Sequence, residues 1–446
     1  MRIAMLNVLK AGMRASLAIG AIAVAGCGGG AAGSPVGTGG GSGIGGGAGG
    51  ASGGVTYYKD VRPILEANCT TCHNADGIAP FPLTTYDETK GQAAAIATET
   101  GALVMPPWMP AAACGDFRGV RRLASGDIAT LGAWSAAGAP AGNPADAPPT
   151  PDAGVGGGPG TPNVVLDPGS AYQPNTALTD DYHCFLIDPG LTATQDLIGF
   201  DVHPGTPTSV HHVLLFAVAA ADVATARAQD DAEAGIGWTC FGGTGVGAAQ
   251  TVGGWVPGSG ASMFPPPTGI RLPAGTQIVM QIHYNLLAQA QVNDRTTAGL
   301  FYASAPVAKP AAISAVANQT FRVPAGTASQ TVSANLSINR SWALWGVVPH
   351  MHLHGVEISV AIQHADGSST CAVDIPRWDF HWQQFYYYQQ PISVVAGDVI
   401  HLECTYDNSA ANQPVIGGVK QPPMDLTWGE KTTDEMCLNY LYFTAP

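Results

Sequence analysis

The stretch Gln277-Ile-Val-Met-Gln-Ile-His-Tyr-Asn285 decides how the larger part of this chain folds. Its odd positions read Gln, Val, Gln, His, Asn, and its even positions Ile, Met, Ile, Tyr. Successive side chains of a strand point to opposite faces, so the alternation predicts a strand with one apolar face and with His283 on the polar one. From about residue 164 onward the same texture recurs, in short Val/Thr/Tyr/Phe-rich runs punctuated by Pro, Gly and Asn. That is the pattern of antiparallel sheets packed as sandwiches, and no repeat is evident at the level of residues.

Upstream the texture is different. Residues 60–67 around Ile64 and Leu65, the Ala-rich 90–100, and 125–136 read as helices. In the last, Ser125 and Asp127 predict a start before Ile128, Leu131 and Trp134. The expected fold class is therefore mainly β, preceded by a small helical domain. Gly (58) and Pro (34) are concentrated in two stretches of the 446 residues, about 28–54 and 139–162, which read as linkers rather than core. At roughly 150 residues per domain the length fits about three folded units. The boundaries expected are 1–26 for a leader, 27–54 for a Gly-rich tether, 55–140 for the helical domain and 141–163 for the second linker. The β-rich domains then take 164–305 and 306–446.

Only 11% of residues are charged, and acidic residues (32) exceed basic ones (18). No basic cluster follows residue 30, so a nucleic-acid partner, which needs a positive stripe, is excluded. The missing Gly period excludes collagen, and the missing long apolar runs exclude a multi-span membrane protein. The first residues carry Arg2, Lys10 and Arg14 and then a small-residue apolar run, as a secretory signal does. The run ends in Val24-Ala25-Gly26-Cys27, which resembles the lipobox of bacterial lipoproteins. The resemblance implies cleavage before Cys27, lipid on its thiol and hence membrane attachment; a plain signal peptide with a chance cysteine is the alternative. Gly28 lacks the aspartate type of inner-membrane retention signal, so an outer-membrane address facing the periplasm or the exterior is expected. Export also permits disulfides to persist.

The string Cys69-Thr-Thr-Cys72-His73 reads as a c-type haem attachment site, with two thiols for thioethers and the adjacent imidazole under the iron. The alternative is a disulfide or redox pair that happens to precede a histidine. Downstream, Val104-Met105-Pro-Pro-Trp108-Met109-Pro resembles the Met-Pro-Pro segment of small bacterial cytochromes. That resemblance implies Met105 as the sixth ligand, with Met109 as second choice. A His/Met-ligated haem transfers electrons and keeps no open position for oxygen chemistry.

Of the remaining histidines, His183, His203, His364, His381 and His401 stand singly. Six others lie in three strings, His211-His212, His283, and His350-Met-His352-Leu-His354. His350 and His352 share one face of any strand and can converge on one ion. His211 and His212 are neighbours, so they can share a metal only through a bulge or with one displaced toward a strand end. Three such strings in one exported body favour a metal, and imidazole with thioether favours copper over calcium or magnesium; spacing alone does not separate copper from zinc.

These strings also carry a family resemblance. Thr208-Ser-Val-His-His-Val-Leu-Leu-Phe216, Gly253-Gly-Trp-Val-Pro-Gly258, Gln281-Ile-His-Tyr284, Ala396-Gly-Asp-Val-Ile-His-Leu-Glu-Cys-Thr-Tyr406 and Asp434-Glu-Met-Cys-Leu-Asn-Tyr440 look like the copper type II, ascorbate-dependent monooxygenases. The match spans about 170–444 in the correct order. It implies two eight-stranded jelly-roll β-sandwich domains, each holding one copper across a solvent-filled cleft. By position, His211, His212 and His283 would bind an electron-transfer copper, and His350, His352 and Met436 an oxygen-activating one. The implied reaction hydroxylates a substrate C–H bond with dioxygen, taking two electrons from ascorbate or another one-electron reductant. His354 falls where the family shows no ligand and reads as a supporting or surface residue.

The family's cysteine pattern implies Cys184–Cys240 and Cys404–Cys437. The second pair closes a loop of about 33 residues and is worth on the order of 3–4 kcal/mol. Cys114 and Cys371 are left either free or paired with each other. The peptide-hydroxylating members carry an arginine two residues before the His-x-His pair, where this chain has Val348. Glycine-extended peptide is therefore disfavoured, and the substrate is left as a small or peptide-like molecule. Asn439 and Tyr440 are candidate pocket residues, equally readable as strand packing. The fused haem suggests delivery of electrons to the first copper, the second linker being long enough for the helical domain to visit the cleft. The competing readings are a non-catalytic copper/haem electron-transfer or copper-binding lipoprotein, and a structural surface module with decayed sites.

Overall fold

The computed structural model describes residues 54–75, 79–149, 160–241, 243–247, 249–257, 259–286, 293–416 and 418–446. The expected leader, Cys27, nearly all of the tether and the middle of the second linker lie outside the described residues. Among the described residues no helix is long and apolar enough to cross a membrane.

The N-terminal part is helical, as its sequence texture predicts. A π-helical turn, Tyr57–Val61, runs into the helix Arg62–Asn68, and Tyr86–Lys90, Ala93–Gly101 and Ser125–Ala136 follow. Thr85 and Glu88 form a capping box that starts the second helix. Ser125 is the first helical residue and not the cap: Ala124 precedes it with no side-chain cap, and Asp127 provides the first-turn negative charge. Leu131 and Trp134, three apart, share one face and bury it against Tyr57, Val61 and Leu65.

The remainder is mainly β. A five-stranded antiparallel sheet runs in the order Trp238–Thr239, Asp180–Ile187, Gln277–Asn285, Val210–Val218, Gln250–Trp255. A four-stranded one runs Gln330–Ser337, Val399–Tyr406, Gly355–Gln363, Ser369–Ile375. Each packs on one half of a nine-stranded sheet, and each half encloses its own core. Phe185, Leu215, Met280 and Ile282 lie in the first core, and Leu344, Val347, Val360 and Leu402 in the second. The nine-stranded sheet is continuous through a parallel pairing of Lys309–Ala311 with Thr268–Ile270. The two halves therefore share a sheet, and that pairing covers an edge which separate sandwiches would leave open.

The alternation in Gln277–Asn285 does what the sequence predicts. Ile278, Met280, Ile282 and Tyr284 enter the first core, while Gln281 turns to the other face. In Gln250–Trp255, Gly253 is required by a close approach, because a Cβ there would lie 2.3 Å from the Phe200 ring.

One expectation is corrected. The helical domain needs no visit to the β body along a linker, because residues between Cys69-Thr-Thr-Cys72-His73 and its last helix are already fastened there. Cys114 is bonded to Cys371. The Ala111 amide donates to the Asp374 carbonyl (2.7 Å) and the Arg118 amide to that of Tyr387 (2.8 Å). Phe117 enters the second core and stacks on Tyr388, and Trp108 and Met109 pack against the same core. Cys184–Cys240 and Cys404–Cys437 are also bonded, and three disulfides place the folded chain in an oxidising compartment.

Candidate metal centres

The strand Val210–Val218 pairs with Gln277–Asn285, but Val210 faces Tyr284 while His212 faces His283. His211 is thus the extra residue of a bulge, which lets two neighbouring imidazoles turn to the same side. His212 Nδ1 lies 3.3 Å from His211 Nδ1 and 3.4 Å from His283 Nδ1. The ligating atoms of the three all fall within 4.8 Å of one another, and among the described residues this is the one such group of three or more His, Cys, Asp or Glu. Burial lowers the pKa of all three imidazoles; at His211 and His212 their neighbours push the same way, and at His283 Asp180 opposes it. They are neutral ligands with lone pairs facing one point, and a soft-to-borderline cation fits that donor set.

Asp180 was not among the residues singled out from sequence. Its carboxylate, buried at the start of Asp180–Ile187, accepts from His283 Nε2 (2.9 Å) and from the Thr432 hydroxyl (2.5 Å). Burial alone would raise the Asp180 pKa, but these hydrogen bonds outweigh it and hold the carboxyl at about 2. Because a carboxylate only accepts, the His283 proton sits on Nε2 and its Nδ1 is left for a metal.

The second set forms where Trp342–His350 ends beside Cys437–Thr444. His350 Nδ1 is engaged by the Gln383 side chain, and His352 Nδ1 donates to the Asp434 carbonyl (3.1 Å), so each ring turns its Nε2 outward. Glu435, fully buried, accepts from the amides of His352 (2.9 Å) and His354 (2.6 Å) and thereby ties the His-x-His segment to the neighbour of Met436. His354 is buried behind this carboxylate, with Nδ1 at 3.3 Å from it and Nε2 at 3.4 Å from the Gln413 side-chain oxygen Oε1. It supports the site and does not line it. Met436, Leu438 and Tyr440 share the cavity face of their strand by period-two alternation, and Cys437 takes the opposite face, bonded to Cys404.

Residues 311–446 match the copper type II ascorbate-dependent monooxygenase, C-terminal domain. No curated protein matches the chain. Among solved structures, the major capsid protein P2 from bacteriophage PM2 is similar at 10% identity, over 63% of this chain and 96% of that one, with a TM-score of 0.25. The infectious bursal disease virus VP2 subviral particle gives 13%, 63%, 70% and 0.19 in the same order, and a putative secreted protein from Eubacterium rectale gives 12%, 59%, 69% and 0.19. These likenesses are too loose to bear on fold or function. The copper monooxygenase match contains His350, His352 and Met436. The three-histidine group lies outside it and stands on its own geometry.

One cavity of about 360 Å³ is lined by His212 of the three-histidine group and by His350, His352 and Met436. Tyr440 lines it, its phenol pushed up to about 12 by burial, and so stays neutral. Asn439 does not line it: it is buried on the other face of its strand, donating to the Tyr440 carbonyl (3.0 Å). Val348 is on the cavity wall, as is Glu430, and among the lining residues there is no lysine or arginine.

A second cavity, of about 820 Å³ and mainly apolar, is bordered by the Cys69-Thr-Thr-Cys72-His73 string. Cys69, Cys72, His73 and Met105 all line it. Both thiols are unbonded in a chain with three disulfides, and burial pushes Cys69 up to about 11, the opposite of a reactive thiolate. His73 Nδ1 donates to the Phe81 carbonyl (3.0 Å), which leaves Nε2 for an axial bond. Met109 is engaged elsewhere, its sulfur accepting from the Asp379 amide (3.2 Å). The size lies within the ~300–1,000 Å³ usual for cofactor pockets, and the donors fit a covalently held haem.

Proposed function

We propose that this chain is an exported copper-dependent monooxygenase that hydroxylates a C–H bond of a small-molecule or peptide-like substrate with dioxygen. A c-type haem attached at Cys69 and Cys72, with His73 and Met105 as axial ligands, supplies the electrons. The observation that carries the reading is that His212 of the three-imidazole group lines one cavity together with His350, His352 and Met436. Copper in these sites supplies one-electron storage at the imidazole set and, at the thioether set, a soft cuprous state able to activate dioxygen.

The chain's own residues set the conditions for that chemistry. Asp180 keeps the His283 proton on Nε2, and Gln383 and the Asp434 carbonyl orient His350 and His352. Glu435 holds the backbone of the His-x-His segment against that of Met436. Tyr182, Phe216, Trp255 and Phe385 form apolar walls that limit water around a bound substrate. With Val348 in the wall and no cationic side chain beside it, a substrate carboxylate has nothing to neutralise it, which disfavours a C-terminal peptide carboxylate as the anchor. Lipidation at Cys27 and an outer-membrane address complete the proposal, supported by the signal-like N-terminus and the disulfides. Two jelly rolls are the finer fold reading, supported by two separate β cores.

The test combines copper and haem stoichiometry with oxygen consumption across reduced aromatic, aliphatic and peptide substrates. Two coppers and one haem per chain, with substrate-dependent oxygen uptake, are expected. Copper that cycles without any oxygen uptake would instead establish an electron-transfer lipoprotein.

A further inference from the structure

The larger cavity has an unexpected wall. Besides Cys69, Cys72, His73 and Met105 it is lined by His211 of the three-histidine set and by Phe380. Phe380 lies nearly parallel to the His211 ring, with centroids 4.5 Å apart and an angle of 15° between planes. It stands nearly perpendicular to the His352 ring of the other set, with centroids 5.9 Å apart. Gln383, which holds His350, lines the same cavity. One short loop therefore touches the haem cavity and both donor sets.

That loop, residues 376–385, is braced at both ends. The strand before it, Ser369–Ile375, carries Cys371, bonded to Cys114, and Asp374, which accepts from the Ala111 amide. The strand after it, Tyr386–Val394, carries Tyr388, stacked on Phe117, and Gln389, whose amide donates to the Asp116 carbonyl (2.8 Å). The segment that follows Met105 thus grips the two strands that present Phe380. A swinging domain needs no such double attachment.

We propose that Phe380 and the loop around it form a fixed electron-entry wall, through which the haem cavity reduces the three-histidine site within one chain and without domain movement. This rests on the copper and haem reading given above. In the step, one electron leaves a ferrous haem, which becomes ferric, and reduces one cupric ion held by His211, His212 and His283 to cuprous. No proton is transferred, and the haem is re-reduced by an external one-electron donor of the ascorbate type. Phe380 is a positioning residue: its stacked ring holds the His211 imidazole still, so less reorganisation accompanies the change of charge.

The experiment uses the full chain loaded with haem and copper, both metals being quantified in the same samples. Haem is reduced by a light-activated donor, and its reoxidation by the cupric sites is followed optically. First-order reoxidation, unchanged over an about tenfold range of protein concentration and absent in copper-free protein, is expected. Phe380→Leu should slow it about two- to tenfold, the factor to which one lost stacking contact converts, and Phe380→Tyr should restore it. As an equilibrium readout, ferric haem should shorten the spin relaxation of the three-histidine copper in wild-type protein. A rate proportional to protein concentration, an unaltered rate in Phe380→Leu, or unaffected copper relaxation would overturn the proposal while leaving the copper and haem reading intact. Samples that bind no haem or no copper overturn both. Should Phe380→Leu fail to fold, the concentration dependence and the relaxation measurement still decide.

Discussion

Replacing Asp180 probes the three-histidine site without touching a ligand. The carboxylate is buried beside a neutral imidazole, with hydrogen bonds from His283, Thr432 and Thr179 but no cationic partner. Burial by itself disfavours that charge, the hydrogen bonds outweigh the burial, and a cation on the other side of the His283 ring would favour it further. Loss of such a carboxylate behind a metal-bound histidine lowers affinity about 10–100-fold, about 1.4–2.8 kcal/mol. Asp180→Asn keeps an acceptor for His283 Nε2 and removes only the charge, so its effect belongs at the tenfold end; Asp180→Ala also frees the ring and belongs at the hundredfold end. Copper titration against a competing chelator, read by the spin-resonance signal of the cupric three-histidine site, gives the affinity. Melting curves with and without copper give the second signature: Asp180→Asn makes the metal-free protein less stable than wild type near neutral pH, because the fold favours the ionised carboxyl, and it also gains less from copper. An Asp180→Ala protein that is folded and binds copper at this site as tightly as wild type would refute the argument.

Met436→Leu conserves volume but removes the thioether, so one of two cuprous ions per chain should be lost or weakened while the three-histidine site stays filled; anaerobic copper stoichiometry checks this. Removing Cys404–Cys437, which closes a loop of 33 residues, should cost on the order of 3–4 kcal/mol in denaturant unfolding and reduce occupancy at the Met436 site. Acid stability should depend on Asp196, whose pKa is held down first by its two-point hydrogen bonding with Arg271 (2.9 and 3.0 Å). A lowered folded-state pKa means that this stabilisation is present above the unfolded value of about 3.9 and fades as pH falls through the folded value. Asp196→Asn should therefore show a flatter loss of denaturant midpoint on acidification than wild type, and an identical slope would count against it. Met105→Leu, leaving Met109 in place, should convert a low-spin haem spectrum to one with an open or exchanged sixth position.

Local chemistry explains what could be read without coordinates. The alternation of Gln277–Asn285 announces its two faces because side-chain period is a property of the strand itself. Cys69, Cys72 and His73, or His350 and His352, are recognisable because their donors lie within a few residues of one another. His211 and His212 needed a bulge, and the bulge is there. The N-terminal helices were legible for the same reason, 125–136 to the residue, apart from the short Tyr86–Lys90, which has too few residues to show a helical period.

The amino-acid sequence by itself determined the mainly β class, the strand Gln277–Asn285 and the N-terminal helical texture, and that one part of the chain carries a Cys-x-x-Cys-His string and another a histidine-rich body. Only the tertiary structure decided who meets whom. It set Asp180 behind His283 with Thr432 from 252 residues away, Glu435 beneath the His-x-His turn, and Cys114 against Cys371. It also set Phe380 between a cavity and two donor sets. Those meetings depend on strand register and on how sheets pack across long loops, and no local pattern of residues encodes the distance between two faces that touch only after the chain has folded.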